Sequence, residues 1–116
     1  MRVLLAAMPD TVSALDAVTQ MPNLGLYSIA GNLEGCDVKV IDLAFHNRRI
    51  TRLLQQLIEE FKPEIVGLSA MSFQFGSACR VSRICRSVNP DVTVVLGGYH
   101  ASLMYKEIAS GPEAQL

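Results

Sequence analysis

The sequence predicts an α/β domain built on a doubly wound parallel sheet. Short apolar runs alternate with amphipathic stretches four times over, joined by connections of a few residues. Parallel strands need crossover connections, and right-handed crossovers stack helices onto the faces of the sheet. The scale agrees: 116 residues, 50% of them hydrophobic, make one domain, 1–116, with one ordinary core.

Taken in order, Arg2–Met8 (RVLLAAM) is an apolar run ended by Met8-Pro9-Asp10, the pattern of a strand buried on both faces. A looser segment, DTVSALDAVTQ (10–20), leads to a helix. Leu26, Ile29, Ala30 and Leu33 recur at i, i+3, i+4 and i+7, and Gly35 lies where such a helix stops. The entry to this helix is awkward, with Pro22 before it and Gly25 in its first turn. Asp37–Leu43 (DVKVIDL) forms the second strand. From Arg48 to Phe61 the helical pattern is clearest: Ile50, Leu53, Leu54, Leu57, Ile58 and Phe61 share one face, and Lys62-Pro63 stops it. Ile65–Ala70 is a third strand. A loop with Met71, Phe73 and Phe75 precedes a helix carrying Ala78, Val81, Ile84, Cys85 and Val88, which Asn89-Pro90 breaks. Val92–Gly98 is the fourth strand, and ASLMYKEIA (101–109) opens another helix. The chain then ends at GPEAQL without the fifth strand such a fold carries, so a piece of a longer protein is expected.

Several function classes drop out. A net charge of −1 offers no field for nucleic acid. No apolar run approaches the roughly 18 residues that span a bilayer. Met1-Arg2 followed by VLLAAM is too short and poorly flanked for a signal peptide. The expectation is a cytoplasmic domain without a nucleic-acid or membrane partner. Three cysteines, Cys36, Cys79 and Cys85, contain no CxxC pair, which disfavours a disulfide framework or a cysteine-held metal. Cys85 falls on an apolar helix face, as a small hydrophobe does. Neither GxGxxG nor GxxxxGK[ST] occurs, and no acid stands near Ser69 as a phosphorylated receiver would require. No Ser–His–Asp or Cys–His arrangement follows from the spacing.

In open parallel sheets ligands bind beyond the carboxyl ends of the strands. Those ends are Met8-Pro9, Leu43-Ala44, Ser69 to Phe73 and Gly97 to His100. Ser69 and Ser72 can hydrogen-bond a ligand while Met71, Phe73 and Phe75 cover an apolar ring, or the hydroxyls can cap the next helix. Gly97-Gly98 can admit a flat ligand or make a tight turn. His100 can donate, act as an acid or base, or cap a helix.

In order, PNLGLYSIAGNLEGCDVKVIDL, KPEIVGLSAMSFQF and VTVVLGGYHAS resemble the cobalamin (vitamin B12)-binding domain, as found at the N-terminus of cobalamin-dependent radical S-adenosylmethionine enzymes. The resemblance covers Met1 to Ile108. It implies a flavodoxin-like (Rossmann-like) sheet of strand order 2-1-3-4-5, the last strand lying outside this chain. It implies a corrin across the strand ends, with its dimethylbenzimidazole tail between the sheet and the first helix. Ser69-Ala70-Met71, followed by Ser72 and Phe73, matches the family segment whose serine holds the tail. Gly97-Gly98 matches the pair that leaves space for it, with Tyr99 and His100 at the corrin edge. Met8 and Pro9 close the first strand, and Asn23, Leu24 and Gly25 open the first helix.

One departure is informative. Members such as methionine synthase carry D-x-H-x-x-G, whose histidine ligates cobalt from below. Here those positions read Gln20-Met21-Pro22-Asn23-Leu24-Gly25, and a proline ring cannot ligate a metal. The resemblance therefore implies cobalamin held base-off with no lower histidine from this loop and no metal ligand from the chain. The [4Fe-4S] cluster and S-adenosylmethionine would belong to a downstream radical domain carrying CxxxCxxC, absent here. The domain alone would then not be a complete catalyst, but part of a methyltransferase-class enzyme. A second reading is a docking or substrate-recognition domain that has lost the cofactor, its groove filled by side chains such as Tyr27, Met71 and Phe73. A third, a flavin- or nucleotide-binding domain, lacks the phosphate cradle it would need.

Overall fold

A computed structural model describes residues 1–11, 21–46 and 48–115; most of the looser segment, and Gln20, lie outside them. Four strands, β1 (Arg2–Ala7), β2 (Asp37–Asp42), β3 (Ile65–Ser69) and β4 (Thr93–Gly97), form one parallel sheet in the order β2-β1-β3-β4. The order reverses at β1, which puts a crevice at its carboxyl end. Among the described residues four helices accompany them: α1 (Leu24–Asn32), α2 (Ile50–Phe61), α3 (Phe75–Val88) and α4 (Tyr99–Ser110). Short 3-10 turns at Leu43–His46 and Ser72–Gln74 replace the expected last residue of the second strand and the loop after the third. Phe75, expected in that loop, begins α3. No described helix is long and apolar enough to cross a membrane.

Side chains alternate across a strand, so β1 feeds two cores. Leu4, Ala6 and Met8 join Val66, Leu68 and Ala70 beneath α2 and α3, where Leu54, Ile58, Phe61, Val81 and Cys85 are buried. Burial pushes the Cys85 thiol up to about 11 and raises that of Cys79. All three cysteines are free thiols. The α2 helix ends as its sequence suggests, though Lys62 takes a left-handed conformation (φ 49°) rather than the extended one a following proline favours. Val3, Leu5 and Ala7 point the other way and meet Leu26 of α1 in a much smaller cluster. The apolar face expected for α1 is only partly buried: Leu26 is enclosed, Ala30 and Leu33 are half-buried, and Ile29 is 51% exposed. That incomplete burial locates the site.

Candidate cofactor groove

Strand register sets the floor of an open groove beside α1. Leu5 pairs with Gly67 and Gly67 with Val95; one step along on the same face, Ala7 pairs with Ser69 and Ser69 with Gly97. Val3 and Ile65 form the row at the amino end. From Ile65 to Ser69 this is about 13 Å at roughly 3.3 Å per residue. The row at the carboxyl end holds only small side chains, so the floor is lowest where a ligand would enter. With Ile29 and Leu33 of α1 as a wall and Met1 and Cys36 at the far end, the groove encloses about 430 Å³. Its mouth is Gly25, Ser69, Gly97 and Gly98.

The glycines do different jobs. A Cβ at Gly67 would stand 2.7 Å from Leu5 Cδ2, so a side chain there would displace Leu5 within the groove. At Gly97 a Cβ would meet nothing nearer than the Leu68 carbonyl at 3.8 Å, so it would occupy groove space without a clash. Gly98 has φ +96°, and a Cβ there would collide with the Ala70 carbonyl oxygen; this residue makes the turn into α4. Gly25 sits in the first turn of α1, where a Cβ would lie 3.3 Å from Asn23 Oδ1. Asn23 supplies the helix cap, its Oδ1 accepting from the Leu26 N–H at 3.2 Å. The awkward helix entry is thus a capped start with a bare residue at the mouth of the groove.

The remaining expected residues form the rim. Met8, Pro9 and Ala70 are buried beneath it, while Leu24, Met71, Ser72, Phe73 and Tyr99 are exposed around it. Neither serine caps α3, which begins without a side-chain cap. His100 turns away from the groove and lies on the Phe75 ring, centroids 4.4 Å apart, with a buried Nδ1 that has no partner among the described residues. Sequence reasoning missed Gln74. Its side chain accepts from the Met71 N–H at 2.9 Å and donates to the Asp10 carbonyl at 2.7 Å, tying the β1 exit to the β3 exit. It also missed the floor itself: Leu5, Gly67, Val95, Ile29, Leu33 and Cys36. A glycine in mid-strand, which often marks close approach of a ligand, was the signal available.

A second cavity of about 320 Å³ lies on the opposite face, between α3, β4 and α4. Of the side chains expected from the sequence to meet a ligand it contains Phe75 alone, and α4 beside it has no buried residue. No group of three or more His, Cys, Asp or Glu side chains among the described residues could hold a metal ion.

A family model described as a B12 binding domain matches residues 11–114. An uncharacterized methyltransferase of Pyrococcus horikoshii is 35% identical over 105 residues, 88% of this chain and 22% of that protein. The anaerobic magnesium-protoporphyrin IX monomethyl ester cyclase of Rubrivivax gelatinosus is 38% identical over 55 residues, 47% of this chain and 10% of that one. The radical S-adenosylmethionine methyltransferase TsrM of Kitasatospora setae, solved with tryptophan and an S-adenosylmethionine analogue, superposes with a TM-score of 0.63 at 25% identity. That alignment covers 90% of this chain and 20% of TsrM. The chain thus spans about a fifth of the methyltransferases it matches. By its matched sequence and its parallel sheet, the chain belongs to the B12-binding domain family.

Proposed function

We propose that this chain is the cobalamin-binding module of a radical S-adenosylmethionine enzyme of the methyltransferase class. It holds the corrin base-off, without a lower histidine ligand, and presents it to a partner domain of the same protein. The observation that carries this reading is the open groove between α1 and the β1–β3–β4 floor. Tyr27, Met71 and Phe73, the side chains that would fill it in a cofactor-less docking domain, are exposed and line no part of it.

The residues present fit the tail of the cofactor. Gly25 and Gly97 leave space at the mouth, where a Cβ would stand in the way. Ser69, half-buried there, offers a hydroxyl to the polar part of the tail. Leu5, Ile29 and Val95 offer apolar surface further in, which a bound tail would cover. The Gln74 bridge holds two strand exits in one platform, so the seat for the macrocycle is set before binding. Pro22 brings no imidazole to the lower face, and neither His46 nor His100 lines the groove. Bound there, the corrin would supply the metal chemistry of methyl transfer, and the chain's own residues would hold and orient it. The iron–sulfur cluster and S-adenosylmethionine belong to the partner domain, and three free thiols fit a reducing cytoplasm.

The test is direct. After incubation with hydroxocobalamin and desalting, the protein should retain the visible absorbance of the corrin near one equivalent. A colourless protein after several-fold excess would overturn the reading.

A further inference from the structure

If the groove takes the tail of the cofactor, its lining bears on which tail it takes. Cobamides share the corrin and differ in the base that ends the nucleotide, which is a benzimidazole in cobalamin and adenine in others. Between the mouth and the far end the lining side chains are Leu5, Ile29, Leu33, Ile65 and Val95, all hydrocarbon. The floor backbone around Gly67 is engaged in ladders to β1 and β4, so its amides and carbonyls are already paired. Ser69 stands at the mouth, and Cys36, a weak donor, at the opposite end.

We propose that this groove selects a carbon-rich, benzimidazole-type base over a purine. The inference rests on the base-off cobalamin reading above. A benzimidazole exposes mostly carbon to such walls. Adenine carries additional ring nitrogens and an exocyclic amine, each hydrogen-bonded in water and each without a side-chain partner along the hydrocarbon stretch between Ser69 at the mouth and Cys36 and Met1 at the far end. Burying such groups unpaired is unfavourable, whereas replacing carbon by carbon is not. The expected consequence is an adenine-bearing cobamide that binds about ten- to a hundred-fold more weakly than cobalamin.

The experiment titrates the protein with cobalamin, with adeninylcobamide and with cobinamide, which lacks the nucleotide, following the visible spectrum and retention after desalting. The expected order is cobalamin tightest, with both others clearly weaker. Adeninylcobamide binding as tightly as cobalamin would overturn the selectivity while leaving cobalamin binding intact. Cobinamide binding as tightly as cobalamin would show that the tail gains nothing from the groove, and would overturn it too. If none of the three is retained, the function reading itself fails and the inference falls with it. A Val95→Gln variant sharpens the assignment: the side chain is 51% exposed, so the change spares the core and adds a donor and an acceptor to the floor. The gap between the two cobamides should narrow; an unchanged gap places the selectivity elsewhere and overturns the proposal.

Discussion

The two faces of this sheet are made from the same strands and put to opposite uses. Under α2 and α3, Leu4, Leu54, Val66, Val81 and Cys85 are fully enclosed. On the other face, among the described residues, one short helix covers β1, while Gly67, Val95 and Gly97 beyond it line open space. A two-sided parallel sheet ordinarily buries both faces. Here the first face supplies most of the apolar burial, which lets the second leave its floor bare. Alternate residues of the same strand thereby serve the two faces: Leu4 and Ala6 join the larger core, Leu5 and Ala7 the smaller cluster under α1.

That division can be tested by substitutions on each side. The largest effect is expected from Leu54→Ala, which empties a fully buried site and should cost about 2–5 kcal/mol in urea unfolding. Next comes alkaline pH. The Cys85 thiol is held up to about 11 by burial, so the folded chain keeps a proton that the unfolded chain releases earlier. Its stabilising contribution is complete below about pH 9 and falls away as pH rises toward 11, a loss of roughly 2–3 kcal/mol. Unfolding midpoints at pH 8 and pH 10.5 check this, and Cys85→Ala should flatten the slope. Asn23→Ala removes the α1 cap and should cost about 1 kcal/mol, read by thermal unfolding. The smallest effect on stability, within about 0.5 kcal/mol, is expected for Gly97→Val, because its new side chain enters open space. Yet this variant should lose retained cobalamin absorbance. If it instead unfolds like Leu54→Ala, the division between faces is wrong.

Much of the fold was legible because periodicity reports burial. All four strands and the four helices lie within two or three residues of the segments read from sequence. The strand ends around the groove were legible too, as Ser69 to Phe73 and Gly97 to Tyr99, whereas His100, read as part of the same edge, stacks on Phe75 instead. The floor was not. Gly67 and Val95 become neighbours only through register, which no single segment reveals. Ile29 reads as core from its spacing, and its exposure follows from what fails to cover it. Gln74 looked like an ordinary loop residue because its partner, Asp10, is 64 positions away. The resemblance to a B12-binding domain brought the mouth into focus; the walls required the fold.

The Gly97-Gly98 pair carries a consequence for descent. A Cβ on the first glycine would enter the groove, the space proposed for the ligand, while one on the second would strike the backbone of Ala70. In a lineage that gave up the cofactor, nothing would restrain position 97, and β-branched residues suited to a strand would drift in. Position 98 would stay glycine for as long as the turn survived. Two adjacent letters in a related sequence would therefore distinguish a domain that still carries its cofactor from one that keeps only the architecture.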